Sequence, residues 1–413
     1  MSADMYRGIS RRSFAKGVLL AAGGAFALSN GLLAFADDSA KADSAKGAAS
    51  ASSDALKGQT ITWGTVTTNT GTAASYGMDE MDGFNLAVKE VNANGGVAGA
   101  EVKLNSLDDK GDPTEASNAF NKLAGDDSVC AVLGPTISGT STAVQPLADE
   151  HKVVTLAPAA TSDSIKTGDY MFRVCFKDSY QGTVAARYAA QTLGVKKVAV
   201  LYGTSDPYSS GCAQAFKDAC QANGLEVVDD ESSSSADDTE YSAQLQKIAF
   251  SGAELLYAPY YYNIAGTYII PQARTAGFEG YIMGPDGFDG IQNVMTGDAS
   301  QYDKVYYTNH YSPDSDSERV KNFIAAFKKE YGDDKSTNFL NALAYDAVYM
   351  MKQAVEAAGS TDREAIHKAM TGMSFEGVTG KFTLDETGSP KKSVIVLKFE
   401  GGKPVYDSTV DPE

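Results

Sequence analysis

Short apolar runs recur along this chain, and each gives way to a polar or glycine-rich break before apolar residues resume at helical spacing. Gln59–Thr67 carries Ile61, Trp63 and Val66 and predicts a strand, followed by a polar loop over Gly71–Gly77. Met81, Phe84, Val88 and Val91 then recur every three or four residues, predicting a helix that Gly95 and Gly96 stop. Glu101–Leu107 predicts the next strand, 108–113 a turn, and Thr114–Leu123 a helix capped by Thr114 or Asp112. Strands follow at Val129–Leu133, Lys152–Ala157 and Tyr170–Phe176. A second series has strands Lys197–Tyr202, Leu225–Val228, Glu254–Tyr257 and Tyr281–Met283, separated by helices Ser210–Asn223, Tyr241–Ser251 and Ile264–Ala276. Strands that are apolar throughout, alternating with helices, predict an α/β fold of doubly wound parallel sheets, and two such series predict two lobes. Ser317–Tyr331, Phe339–Ala358 and Asp362–Met370 add helices. Gly380–Leu384 and Ser393–Phe399 alternate as strands expected to extend the sheets, with a turn over 400–403.

Ligands of open α/β sheets bind beyond the carboxyl ends of the strands, so the residues that follow each strand carry the functional information. In the first series these are Thr70–Tyr76, 134–138 and 157–161, rich in hydroxyls, glycine and alanine. In the second they are 203–208, 258–262 and 284–286, which bring tyrosines and the carboxylate of Asp286. The stretch Val129–Thr142 shows the pattern most clearly. A buried strand stops at Gly134 and Pro135 and opens into hydroxyls, and a helix is expected near Ser141, an arrangement that offers backbone N–H groups to an anion. The division of chemistry suits a zwitterion, with its carboxylate on the first lobe, its ammonium on Asp286 and its side chain among tyrosines. Each member alone has an ordinary reading as turn or core. Their shared position at the strand ends points to a ligand.

Composition narrows this further. The chain has 413 residues, 43% hydrophobic and 21% charged, enough for two domains with real cores. A net charge of −18 argues against nucleic acid or an anionic membrane as partner. Four cysteines without CxxC spacing, and three histidines none of which neighbours another or a cysteine, lead us to expect no metal and no other cofactor. Asp108, Asp109 and Asp112 read as a surface turn. No GxSxG, HExxH or P-loop occurs, so no enzymatic activity is expected. At the front, Ser10–Lys16 resembles the twin-arginine export motif through Arg11, Arg12 and Lys16. A weakly apolar run to Ala36 follows, and residues 1–36 are expected to be a signal peptide, cleaved after Ala36 or retained as an anchor. No cysteine there forms a lipobox, and 37–57 is expected to be a disordered linker.

The runs Ala87–Gly99, Asp108–Pro113, Pro158–Thr161 and Gly284–Gly287 together resemble the branched-chain amino-acid-binding proteins of ABC importers, the leucine-binding-protein group of the type I periplasmic-binding fold. The resemblance spans Gly58–Val405. It implies two lobes joined by three crossovers, near Phe176–Ser179, Tyr307–Tyr311 and Gly388–Lys392. Residues 58–177 and 312–388 would form the first lobe, 178–311 and 389–410 the second. It also implies that Ser138 binds a ligand carboxylate, that Ala159 and Thr161 serve carboxylate and ammonium, that Asp286 pairs with the ammonium, and that Tyr76, Tyr208 and Tyr262 surround the ligand. Two departures bear on specificity: Asp286 stands where the best-known members have glutamate, and Tyr260–Tyr262 replaces a glycine-containing stretch. Cys130 lies near a cysteine that the family pairs, but its partner near Asp112 is missing, so that bridge does not carry over. Cys212 and Cys220 lie too far apart on one helix to bond each other, and buried free thiols are expected.

The implied protein is a monomeric, exported solute-binding protein, periplasmic or otherwise outside the cytoplasm. It would deliver an aliphatic or aromatic α-amino acid to an ABC permease. Two alternatives stay open at this level: a binding protein for an amide, urea-like or aromatic solute, and a sensor module for a receptor.

Overall fold

The computed structural model describes residues 54–71 and 73–411. The expected signal peptide and most of the expected linker lie outside the described residues. Asp54–Lys57, the end of that linker, belong to the fold: Leu56 is buried, and its N–H donates to the Ala98 carbonyl at 2.8 Å. Leu56 is the one large aliphatic side chain of the stretch, which gives those four residues something to bury.

The first sheet is built from β1 (Thr60–Thr67), β2 (Glu101–Asp108), β3 (Val129–Leu133), β4 (Val154–Ala157) and β5 (Met171–Arg173). Its order is β2-β1-β3-β4-β5, with every pairing parallel. Central β3 is buried at every residue, which is why its sequence is apolar without alternation, whereas edge strand β2 alternates with lysine and asparagine. Helices α1 (Ala74–Ala93), α2 (Pro113–Ala124) and α3 (Ser138–His151) connect its strands.

The chain leaves this sheet through α4 (Asp178–Gln191) and builds the second from β6 (Lys197–Gly203), β7 (Glu226–Ser233), β8 (Leu255–Tyr257), β9 (Tyr281–Gly284) and β10 (Val305–Asn309). Between them lie α5 (Pro207–Ala222), α6 (Ser242–Phe250), and a helix formed by α7 (Tyr262–Ile264), a π-helical turn (Ala265–Ile269) and α8 (Ile270–Thr275). It then returns to α9 (Glu318–Tyr331), α10 (Phe339–Ala358) and α11 (Arg363–Met370), with α10 packed on α1. Strands β11 (Ser374–Gly377) and β12 (Gly380–Thr383) follow, before β13 (Val394–Glu400) and β14 (Lys403–Val410) complete the second sheet in the order β14-β13-β10-β9-β8-β6-β7. We call each sheet with its helices a lobe.

One strand went elsewhere than expected. Gly380–Thr383 extends neither large sheet but pairs with Ser374–Gly377 as a hairpin. Phe375 and Phe382 lie opposite each other in it, and the Asp346 carboxylate on α10 takes the N–H groups of Val378 and Thr379 at its turn, both at 2.8 Å. The hairpin is thus anchored to a helix, and that anchor is invisible in a strand's own alternation. All four cysteines are free and buried. Among the described residues no helix is long and apolar enough to cross a membrane.

Candidate functional site

The two lobes meet where the strand ends of both sheets face each other. Tyr76, Thr136, Ile137, Ser138, Ala159, Tyr208, Tyr261, Asp286, Gly287, Phe339 and Leu340 enclose a cavity of about 10 Å³ there, room for about one water molecule. A larger ligand enters only if the lobes part.

On the first lobe, the expected loop residues prove to be helix starts. Helix α3 begins at Ser138 rather than near Ser141, and α1 begins at Ala74, so Ser138 and Tyr76 stand in first turns. No side chain caps α3, which leaves N–H groups of its first turn without a side-chain acceptor, and Ile137 and Ser138 set this favourable end of the helix dipole beside the cavity. Ser138 Oγ accepts the Ser162 N–H at 3.2 Å and so ties α3 to the loop after β4. That loop is held from below by Arg173, whose buried guanidinium donates to the carbonyls of Ala160, Thr161, Ser162 and Ile165 at 2.8–3.2 Å. Tyr76 is set by close packing at its neighbour: a side chain at Gly77 would meet the Thr68 backbone at 2.1 Å.

On the second lobe Asp286 is almost fully buried. Its Oδ1 accepts from the Tyr208 hydroxyl at 2.7 Å and the Gln181 amide at 3.2 Å, and its Oδ2 accepts from His310 Nε2 at 2.9 Å. The Asp286 N–H returns to Gln181 Oε1. Burial holds His310 down at about 4, so the imidazole is neutral at neutral pH. The neighbouring Asp178, linked to Asp286 through the same Gln181 amide, is pushed up to about 7, mainly by burial. Burial likewise raises Asp289 to about 6. The corner therefore gathers carboxylates with no charged partner on Asp286, an environment that favours an incoming cation.

Aromatic rings close the space between. Tyr208 stacks on Tyr261 at 4.9 Å, Tyr76 meets Tyr261 edge-on at 5.8 Å, and Phe339 stands edge-on to Tyr76 at 6.1 Å. The Tyr76 hydroxyl crosses between lobes to the Gly287 carbonyl at 2.6 Å, and Gly287 is small because a Cβ there would press on Tyr208 Oη.

Of the residues expected at the site, Tyr76, Ser138, Ala159, Tyr208 and Asp286 line the cavity. Thr161 and Tyr262 do not. Thr161 is fully buried with its carbonyl on Arg173, and Tyr262 stands behind Tyr76, ring to ring at 4.9 Å. Tyr261, the residue just before α7 begins at Tyr262, takes the lining place. Sequence reasoning missed Phe339, Gln181 and His310. Phe339 follows the capping residue Asn338, a local signal for a helix start, but nothing local marks Gln181 or His310 as neighbours of Asp286.

Residues 60–403 match the family model for periplasmic binding proteins. The chain belongs to that family. This periplasmic binding protein is 32% identical over 350 residues to Leu/Ile/Val-binding protein BraC3 of Rhizobium johnstonii, covering 83% of this chain and 92% of that one. It is 30% identical over 348 residues to Leu/Ile/Val-binding protein homolog 3 of Brucella melitensis, with coverage of 83% and 92%. Its fold matches the branched-chain amino acid transporter substrate binding protein of Streptococcus pneumoniae in complex with isoleucine, with a TM-score of 0.79, 31% identity and coverage of 86% and 100%. A solute binding protein of R. palustris in complex with benzoate shares the fold at a TM-score of 0.77 and 23% identity, with coverage of 86% and 97%. The expected fold class is the observed one, the type I periplasmic-binding fold of leucine-binding proteins. The family consists of extracytoplasmic binding proteins of transporters rather than enzymes.

Proposed function

We propose that this protein captures an α-amino acid, aliphatic or aromatic, between its lobes and delivers it to an ABC permease. The observation that carries this reading is the pairing, across one cavity, of an uncapped helix start at Ser138 with the buried carboxylate of Asp286. The first binds a carboxylate through N–H groups and a hydroxyl. The second binds an ammonium, and a plain aromatic acid leaves it without a partner. Tyr76, Tyr208, Tyr261 and Phe339 receive the side chain. Ala159 contributes backbone to the carboxylate end, while Thr161 and Tyr262 act from behind the lining. The relatives named for leucine, isoleucine and valine support the same class. A ligand touching both lobes favours the closed form, and a permease then distinguishes loaded from empty protein.

Calorimetric titration with the twenty common amino acids and with benzoate tests this. At least one amino acid should bind tightly and benzoate should not. In Asp286→Ala the amino-acid affinity should fall by about 100-fold, the scale of losing a charged partner, with the fold intact by circular dichroism. Unchanged affinity in that variant removes the ammonium role, and tight benzoate binding replaces the amino acid with an aromatic acid.

A further inference from the structure

His310 is held more tightly than a core histidine needs to be. Its ring lies against Phe176 with centroids 3.6 Å apart and planes 24° apart, and it faces Phe339 at 5.6 Å and 21°. The side chain is fully buried, so neither its position nor its ring plane is free. Nε2 meets Asp286 Oδ2 at 2.9 Å, and a carboxylate acceptor there puts the proton on Nε2. Nδ1 has no hydrogen-bond partner and is enclosed, so a second proton would make a cation with nothing to donate to. The charged groups around the ring are Asp286, which it touches, and Lys392, whose Nζ is bonded to Thr379 Oγ1 at 3.0 Å. Asp178 lies beyond Gln181, and Asp289 is held by Asn309 and the Phe339 N–H.

Three donors meet the Asp286 carboxylate. An ionised carboxylate offers about four lone-pair sites. Tyr208, Gln181 and His310 take three of them, and none of these donors carries a charge. No charged donor therefore offsets the carboxylate, while most of its hydrogen-bonding capacity is used. One acceptor site remains, and Asp286 lines the cavity. A lysine or arginine in place of His310 would cancel the charge. An apolar residue would leave a second acceptor free to turn away or to take water.

We propose that His310 is a positioning residue that makes this cleft selective for a protonated amine, by fixing Asp286 with a neutral donor so that one charged acceptor site faces the ligand. The inference rests on the amino-acid reading above and adds a residue and a selectivity to it. Because Phe339 both packs on the imidazole and lines the cavity, the ligand's side chain and its ammonium are read by one connected group of rings.

The test uses His310→Phe, which keeps a ring between Phe176 and Phe339 but removes the donor, and His310→Gln, which keeps an N–H donor. Each is titrated at pH 7 against the tightest-binding amino acid and against its deaminated acid of the same carbon skeleton. His310→Phe should lose about 10- to 100-fold in amino-acid affinity, the fold-change of one hydrogen bond to a charged group. Its affinity for the deaminated acid should stay within about 3-fold, and His310→Gln should recover most of the loss. A structural role alone would weaken both ligands together and lower the melting temperature without changing their ratio. Equal losses for the two ligands, or full amine selectivity in His310→Phe, overturns the proposal while leaving the amino-acid reading in place. A wild-type protein that binds no amino acid overturns both.

Discussion

Arg173 shows how a single residue organises the binding loop without touching a ligand. Its guanidinium donates to four backbone carbonyls over 160–165, so a buried cation is neutralised by aligned carbonyl dipoles. A lysine offers three donors from one point and cannot span four carbonyls. Arg173→Lys should therefore destabilise the protein by about 3 kcal/mol, the sum of a few hydrogen bonds to a charged group less what lysine recovers, as read from urea midpoints. It should also weaken amino-acid binding, because Ala159 and the Ser162 N–H that meets Ser138 lose their support. Unchanged stability would show that the loop holds itself. At this same scale the sequence told half the story. Ser138, Tyr208 and Asp286 were legible because they follow strands. His310 and Gln181 were not, because they lie far from Asp286 in sequence and become neighbours only when β10 and α4 pack beside it.

Among the elements, the first turns of helices do the work that the sequence assigned to loops. Tyr76, Ser138, Tyr208 and Tyr262 all sit at or near a helix start. The turns at Tyr76, Ser138 and Tyr208 reach the cleft, so they are built from glycine, hydroxyls and tyrosine and lack the apolar spacing that announces a helix. Helix α5 is a case where the start is capped. Asp206 accepts the N–H groups of Tyr208 and Ser209 at 3.3 and 3.1 Å, and burial raises its carboxyl to about 6. Asp206→Ala should cost about 1 kcal/mol of stability, the usual value of an N-cap, measured by thermal unfolding. It should also weaken amino-acid affinity, since Tyr208 is placed by that turn. A stability loss with affinity untouched would mean that Tyr208 is held by Asp286 and Tyr261 alone.

Across the whole molecule, buried carboxylates make stability depend on pH in an unusual direction. Burial raises Glu80 from 4.5 to about 8, with Asp178 at about 7 and Asp79, Asp206 and Asp289 near 6. Between the ordinary and the raised values the folded chain holds protons that the unfolded chain releases. The stability these protons supply is complete at low pH and is lost as pH rises through the folded values. Ligand-free protein should therefore show a lower urea midpoint at pH 8 than at pH 5.5. Self-repulsion within a chain of net charge −18 acts in the same direction, and Glu80→Gln separates the two. The amide mimics the protonated side chain and still accepts from the Thr136 hydroxyl, so the variant should be more stable at pH 8 and less pH-dependent. A pH slope identical to wild type would assign the effect to net charge.

The sequence by itself determined the alternation of strand and helix, the parallel core strands, the two series, and the chemistry that each lobe brings to the cleft. It did so because burial on both faces of a sheet leaves a continuous apolar record, and because strand ends are where this architecture places ligands. Only the tertiary structure decided that Tyr261 rather than Tyr262 lines the cavity, that the 380–383 strand forms a hairpin on α10, and that His310 holds Asp286. Each of these depends on which segments distant in sequence meet. A local pattern records how much of a residue is buried, and only packing decides what it is buried against.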